Sequence, residues 1–147
     1  MSLKAKLMDD LKLAMKNKDD VRKSVVTLLR AAIKQQEVDT RQELDDQGVI
    51  EIISKQLKQR KDSLEEFKKA KRDDLISQTE SEIQVLMEYL PEQLTEEEIE
   101  KIVIETIHEV EASSIKDMGK VMSALMPKVK GRADGKLVNE IVKKNLQ

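Results

Sequence analysis

Chain-breaking residues are so scarce in this sequence that long helices are its natural outcome. Only four glycines and two prolines interrupt 147 residues. Aromatic residues are scarcer still, Tyr89 and Phe67 alone. A core must therefore come from Leu, Ile, Val, Met and Ala, which accompany many Glu, Lys and Gln, nearly all of them good helix formers. A β-protein would need more turn residues and more aromatic or β-branched alternation. The expected fold class is all-α.

Apolar spacing divides the chain into seven amphipathic segments. Ser2 is placed to cap a first helix with a stripe of Leu3, Leu7, Leu11 and Ala14 or Met15. After the turn Asn17–Asp20, Val21, Val25, Leu28, Leu29 and Ala32 mark a second. Asp45–Gly48 opens a third, in which Ile50, Ile53, Leu57, Arg60, Leu64 and Phe67 step by threes and fours. That is a heptad seam with one arginine in it, suited to an antiparallel neighbour. A fourth starts at Asp73 or Asp74 and ends before Pro91, which disfavours helical geometry at Leu90.

Thr95 followed by Glu98 forms a capping box for a fifth helix with Ile99, Val103, Ile107 and Val110 inward. Ile115, Met118, Val121, Met122 and Leu125 read as a sixth helix stopping around Pro127. Gly131 suits a left-handed turn, and Asp134 can cap a seventh helix striped by Leu137, Val138, Ile141, Val142 and Leu146. The expected domains are four N-terminal helices over residues 1–91 and a three-helix module over 95–147.

Charge is segregated along this plan. Residues 92–114 carry eight acidic side chains and one basic, whereas 115–147 carry eight basic and three acidic, net +5. A basic end on a neutral or acidic chain points to a polyanionic partner or to a segregated solvated surface.

Several chemistries lack their residues. Cysteine is absent and His108 is the only histidine, so no Cys/His metal cluster can form. His108 is expected on the polar face of the fifth helix. The acidic run Glu96–Glu98 is accounted for by the dipole at a helix start. Gly131–Lys136 has three residues between its glycines, Leu137 where a magnesium-holding hydroxyl should stand, and no preceding strand, so it is not a nucleotide-binding loop. No cofactor is expected. No apolar stretch approaches the roughly 20 residues of a membrane span, and the N-terminus shows no apolar signal core, so the cytoplasm is the expected address.

Two stretches are distinctive: Tyr89–Leu90–Pro91–Glu92–Gln93–Leu94, and the run from Gly119–Lys120–Val121–Met122 through Pro127–Lys128–Val129–Lys130–Gly131–Arg132–Ala133–Asp134–Gly135–Lys136. Together they resemble the YqeY family, and the C-terminal part is similar to the tail of GatB, the B subunit of the tRNA-dependent amidotransferase. The resemblance implies a two-domain helical protein and contact with tRNA. It also brings a family label of carbon–nitrogen ligase activity with glutamine as amide donor, for which no catalytic constellation is visible here.

The residues themselves offer Lys120, Lys128, Lys130, Arg132 and Lys136 as a cationic group, with Gly131 and Gly135 permitting close backbone approach and Asp134 as a cap. With so few aromatic residues, RNA would be met through phosphates and shape rather than stacked bases. The expected partners are tRNA and the aminoacylation or amidation machinery, with neither DNA nor membrane involved. The alternatives are a protein–protein adaptor or an amidotransferase-like ligase.

Overall fold

The computed structural model describes residues 2–147, which hold seven α-helices and no strand. The chain divides between Leu90 and Pro91 into two compact units.

The first unit contains α1 (Leu3–Asn17), α2 (Asp20–Thr40), α3 (Asp46–Lys69) and α4 (Asp73–Glu88). Ser2, Asp19 and Asp45 cap the first three through side-chain oxygens that accept from Ala5, Arg22 and Gly48 backbone N–H groups. Arg72 precedes α4 without a side-chain cap, and its guanidinium pairs instead with Asp74 at 3.1 Å. The core joins Leu7, Val25, Val26, Leu29, Ile33, Val49, Ile52, Ile53, Leu57, Val85, Leu86 and Tyr89.

The α2 stripe differs from expectation, and on α1 the choice left open between Ala14 and Met15 falls to Ala14. On α2, Leu28 is 54% exposed, while Val26 and Ile33 are buried. On α1, Ala14 is buried and Met15 is exposed. Periodicity fixes the width of an apolar stripe, but the angle of packing decides which edge of it meets the neighbours. The α3 seam holds at Ile50, Ile53 and Leu57, and Val49 and Ile52 widen it. Arg60, in that seam, faces Glu82 of α4 at 3.5 Å.

Four connections place a non-glycine residue in the left-handed region: Lys18, Arg41, Lys71 and Glu111. Glycine would normally serve there, and this chain has few to spend. Three of these turns are closed by long backbone bonds, from Asp19 to Ala14, Arg72 to Phe67 and Ala112 to Ile107.

The second unit contains α5 (Glu96–Glu109), a 3-10 turn at Ile115–Asp117, α6 (Met118–Val129) and α7 (Gly135–Leu146). The Thr95–Glu98 capping box is complete in both directions. Ile99, Val103, Val121, Leu125, Val129, Val138, Ile141, Val142 and Leu146 form the core. The sixth helix departs from expectation at both ends. Ile115 lies in the 3-10 turn and is exposed, and the helix passes through Pro127 to Val129. Pro127 sits in the last turn, where one lost N–H bond is offset by burying Val129, which is 1% exposed.

Candidate nucleic-acid interface

The α6–α7 connection is a defined turn. Lys130 has φ −57° and ψ 126°, Gly131 has φ 75°, and the Arg132 N–H donates to the Val129 carbonyl at 2.9 Å. These are the features of a type II turn, whose third position requires positive φ and hence glycine. Gly131 is thus conformationally required, whereas Gly135 is helical and opens α7.

A second segment fastens the turn. The Gln93 side-chain amide donates to the carbonyls of Gly131 at 2.8 Å and Pro91 at 3.0 Å. The Leu94 N–H donates to the Arg132 carbonyl at 2.8 Å. Arg132 in turn directs Nε toward the Glu92 carbonyl at 3.4 Å. The two distinctive sequence stretches are therefore halves of one clasp. Sequence reasoning marked both stretches but assigned no role to Gln93 or Leu94, because their partners lie some forty residues away.

The five cations are not equivalent. Lys128 lies inside α6, where sequence reasoning had it after the helix end. Its ammonium donates to Thr106 Oγ1 at 3.0 Å and to Glu109 Oε2 at 2.7 Å, both on α5. Lys120 is exposed early in α6 and, through its charge, helps hold the Asp117 carboxyl below its usual range, after the larger effect of the Ser113 N–H. Lys130 and Lys136 are exposed, and Arg132 is half-buried. Asp134 caps α7 by accepting from the Lys136 N–H at 3.0 Å. This cap both occupies one N–H and sets a negative charge at the helix start.

The acidic α5 belongs to the same compact unit as the basic turn. From Pro91 to Gln147 there are eleven acidic and nine basic side chains, net −2. Any anion-binding property must therefore come from local arrangement, because the unit as a whole does not attract polyanions.

The first unit holds a separate polar cluster that sequence reasoning missed. Tyr89, 4% exposed, donates its hydroxyl to Asp10 Oδ2 at 2.6 Å and accepts from Arg22 at 3.2 Å. Arg22 also pairs with Glu88 and Asp19. The Lys6 ammonium stands 5.4 Å from the ring centre. These groups line a cleft of about 320 Å³. Burial first, and the bond to Asp10 second, push the Tyr89 hydroxyl up to about 12. Burial opposes the charge on Arg22, but hydrogen bonds to Glu88 and Tyr89 outweigh it and raise its pKa. The cluster is internally paired, and buried Tyr89 cannot serve as a stacking platform for a base.

His108 is exposed on α5. Among the described residues, no group of three or more His, Asp or Glu side chains could hold a metal ion, and no helix is long and apolar enough to cross a membrane.

A profile described as Yqey-like protein matches residues 4–146. The chain belongs to the YqeY family. Curated YqeY-like relatives named Altered inheritance of mitochondria protein 41, mitochondrial, are similar to it. The one from Lachancea thermotolerans is 45% identical over 87 residues, 58% of this chain and 46% of its own length. That from Kluyveromyces lactis is 40% identical over 86 residues, 58% of this chain and 46% of its own. That from Pyrenophora tritici-repentis is 31% identical over 144 residues, 97% of this chain and 77% of its own. The chain spans about half the length of the first two of these YqeY relatives. Their names place the relatives in mitochondria, which differs from the cytoplasmic address expected for this chain.

Proposed function

We propose that this YqeY-family chain is a non-catalytic tRNA-binding accessory protein. It meets the phosphates of structured tRNA at the α6–α7 turn. The observation that carries the reading is the clasp. Gln93 and Leu94 occupy the Gly131 and Arg132 carbonyls, so backbone acceptors that would repel phosphate are already engaged. Lys130 and Lys136 stand exposed beside them. A pre-ordered basic turn loses little conformational freedom on binding. With a net charge of −2 on the unit, attraction is short-range and salt-sensitive. The expected compartment is the cytoplasm, and fractionation of cells carrying the tagged full chain tests it against the relatives' mitochondrial address.

The decisive measurement is tRNA binding by fluorescence anisotropy at two salt concentrations, for the native chain and for a Lys130→Glu, Lys136→Glu variant that keeps its helical circular dichroism. Expected is micromolar-range binding that weakens with salt, with log K falling by about 0.9 per phosphate neutralised for each unit of log salt. The variant should lose it. Absent binding, or binding indifferent to salt and to both reversals, removes the reading.

A protein–protein adaptor is the second reading, favoured by one observation. Met8 and Met15 lie seven residues apart on one face of α1 and are 44% and 57% exposed. Recovery of a stoichiometric protein partner after nuclease treatment, lost in Met8→Lys, Met15→Lys, would favour it.

A further inference from the structure

The Lys128 ammonium is held from two sides by groups of different character. Thr106 is 0% exposed, and its hydroxyl donates to the Ile102 carbonyl at 2.8 Å while accepting from Lys128 at 3.0 Å. That hydroxyl cannot move without disturbing the α5 core face. Glu109, in contrast, sits at the last position of α5 with a 60% exposed side chain, and its carboxylate reaches Lys128 at 2.7 Å. One partner is a buried anchor and the other is an exposed anion at the surface.

We infer that Glu109 is an internal competitor for an anion site, its carboxylate standing where a phosphate oxygen of a polyanionic ligand would bind the Thr106-anchored Lys128. This rests on the phosphate-binding reading above and adds the regulation of that site. A carboxylate and a phosphate oxygen make the same kind of charge-assisted bond to an ammonium. An exposed ion pair costs little to open. When Glu109 swings into solvent, the Thr106 bond keeps Lys128 in place, so the vacated position is already ordered for the incoming oxygen. Displacement carries a threshold, since a lone phosphate gains one contact while losing one. A chain of phosphates that also engages the adjoining turn gains several contacts for that single loss. The competitor therefore favours contiguous polyphosphate backbones over isolated anions.

The test measures the affinity of the full chain for tRNA and for inorganic polyphosphate in five forms: native, Glu109→Gln, Glu105→Gln, Lys128→Met, and Glu109→Gln with Lys128→Met, the last compared with Lys128→Met alone. Glu105 is an exposed acid one turn earlier on α5, so its variant reports the general effect of removing one negative charge. The expected result is that Glu109→Gln binds both probes about threefold to fivefold more tightly than native. Glu105→Gln should change little, and the gain should vanish once Lys128 is replaced. A Glu109→Gln gain no larger than that of Glu105→Gln, or one that persists without Lys128, overturns the inference. Native binding to tRNA would then still stand. If no form binds tRNA but polyphosphate follows the expected pattern, the tRNA reading alone falls. If neither probe binds any form, both fall.

Discussion

The side-chain amide of Gln93 donates to the main-chain carbonyl of Gly131 across 38 residues of sequence, at 2.8 Å. This one bond explains why a glutamine directly after Pro91–Glu92 and a glycine in a basic stretch matter to each other. Gly131 supplies the positive φ of a type II turn, and Gln93 satisfies the carbonyl that the turn leaves outside any helix. Gln93→Leu should destabilise the second unit by about 1 kcal/mol, the net worth of one such bond. Urea denaturation gives the stability. Faster hydrogen exchange at the Leu94 amide, which bonds the Arg132 carbonyl beside it, should accompany the loss. An unchanged Leu94 exchange rate would show that the clasp does not depend on Gln93.

Gly131 and Glu111 make an opposed pair of predictions, because both sit at positive φ, 75° and 55°. Gly131→Ala forces a side chain into the left-handed region and should cost about 1 kcal/mol. Glu111→Gly should instead stabilise by about 0.5–1 kcal/mol, relieving the same strain. It also removes a negative charge from beyond the C-terminal end of α5, where the helix dipole disfavours it. Thermal and urea unfolding of the two single variants, shifting in opposite directions, is the check.

Arg60 and Glu82 face each other at 3.5 Å between α3 and α4, with side chains only 15% and 20% exposed. Arg60 Nε makes no hydrogen bond, so the contact is an ion pair without directional reinforcement. Glu82→Leu leaves the guanidinium confined and without a counter-charge, held only by the bond from Nη1 to Gln56 Oε1 at 3.4 Å, and should cost about 1–3 kcal/mol once partial exposure is taken into account. Replacing both, Arg60→Met with Glu82→Leu, should recover most of that loss, because a packed apolar pair needs no desolvation of charge. A double-mutant cycle in urea measures the coupling.

Tyr89 is the only tyrosine, and tryptophan is absent, so ultraviolet absorbance titrates a single group. Its hydroxyl is pushed up to about 12 by burial and by the bond to Asp10. The sign follows from linkage. A pKa raised in the folded state contributes stability that is fully present below the unfolded value of about 10. That contribution is lost as pH rises through the folded value. The expected phenolate midpoint is therefore near 12 in the native protein and near the ordinary tyrosine value in denaturant. A native midpoint at the ordinary value would mean that the Asp10–Tyr89–Arg22 cluster is open in solution.

Glu37 gathers two donors, the Lys4 ammonium and the Leu44 N–H, each at 2.7 Å. Lys4 first and Leu44 second hold its carboxyl below the usual range. A depressed carboxyl contributes stability above its unfolded pKa, and that stability fades as pH falls through the lower folded value. Glu37→Gln should remove part of the acid-side slope of the stability profile, measured by urea midpoints from neutral pH to about pH 3, the region where carboxylates protonate.

Five helix starts were legible because their chemistry is local, whereas α6 begins at Met118 after a 3-10 turn, without a side-chain cap to announce it. Ser2, Asp19, Asp45, Thr95 and Asp134 each accept from a backbone N–H two or three residues ahead, within reach of a short side chain whatever the rest of the chain does. The end of α6 was not legible. A proline in its last turn reads as a stop, but the burial of Val129 carries the helix past it. The edges of the α1 and α2 stripes were equally out of reach. Met15 and Leu28 fit their helical periods as well as Ala14 and Val26 do, and only the neighbours' positions choose between them.

The candidate site divides along the same line. The residue types, the glycine turn and the cap at Asp134 were written in the sequence, since backbone conformation and capping depend on a few adjacent residues. The fate of each cation was decided by tertiary structure. Lys128 is bound to Thr106 and Glu109, and the turn is fastened by Gln93 and Leu94, because packing of α5 against α6 and α7 brings distant polar groups within hydrogen-bond range. Periodicity along one helix carries no record of which charge on another will meet it. The sequence therefore determined an all-helical chain of capped amphipathic segments, and the three-dimensional packing determined which of its charges face solvent and which face one another.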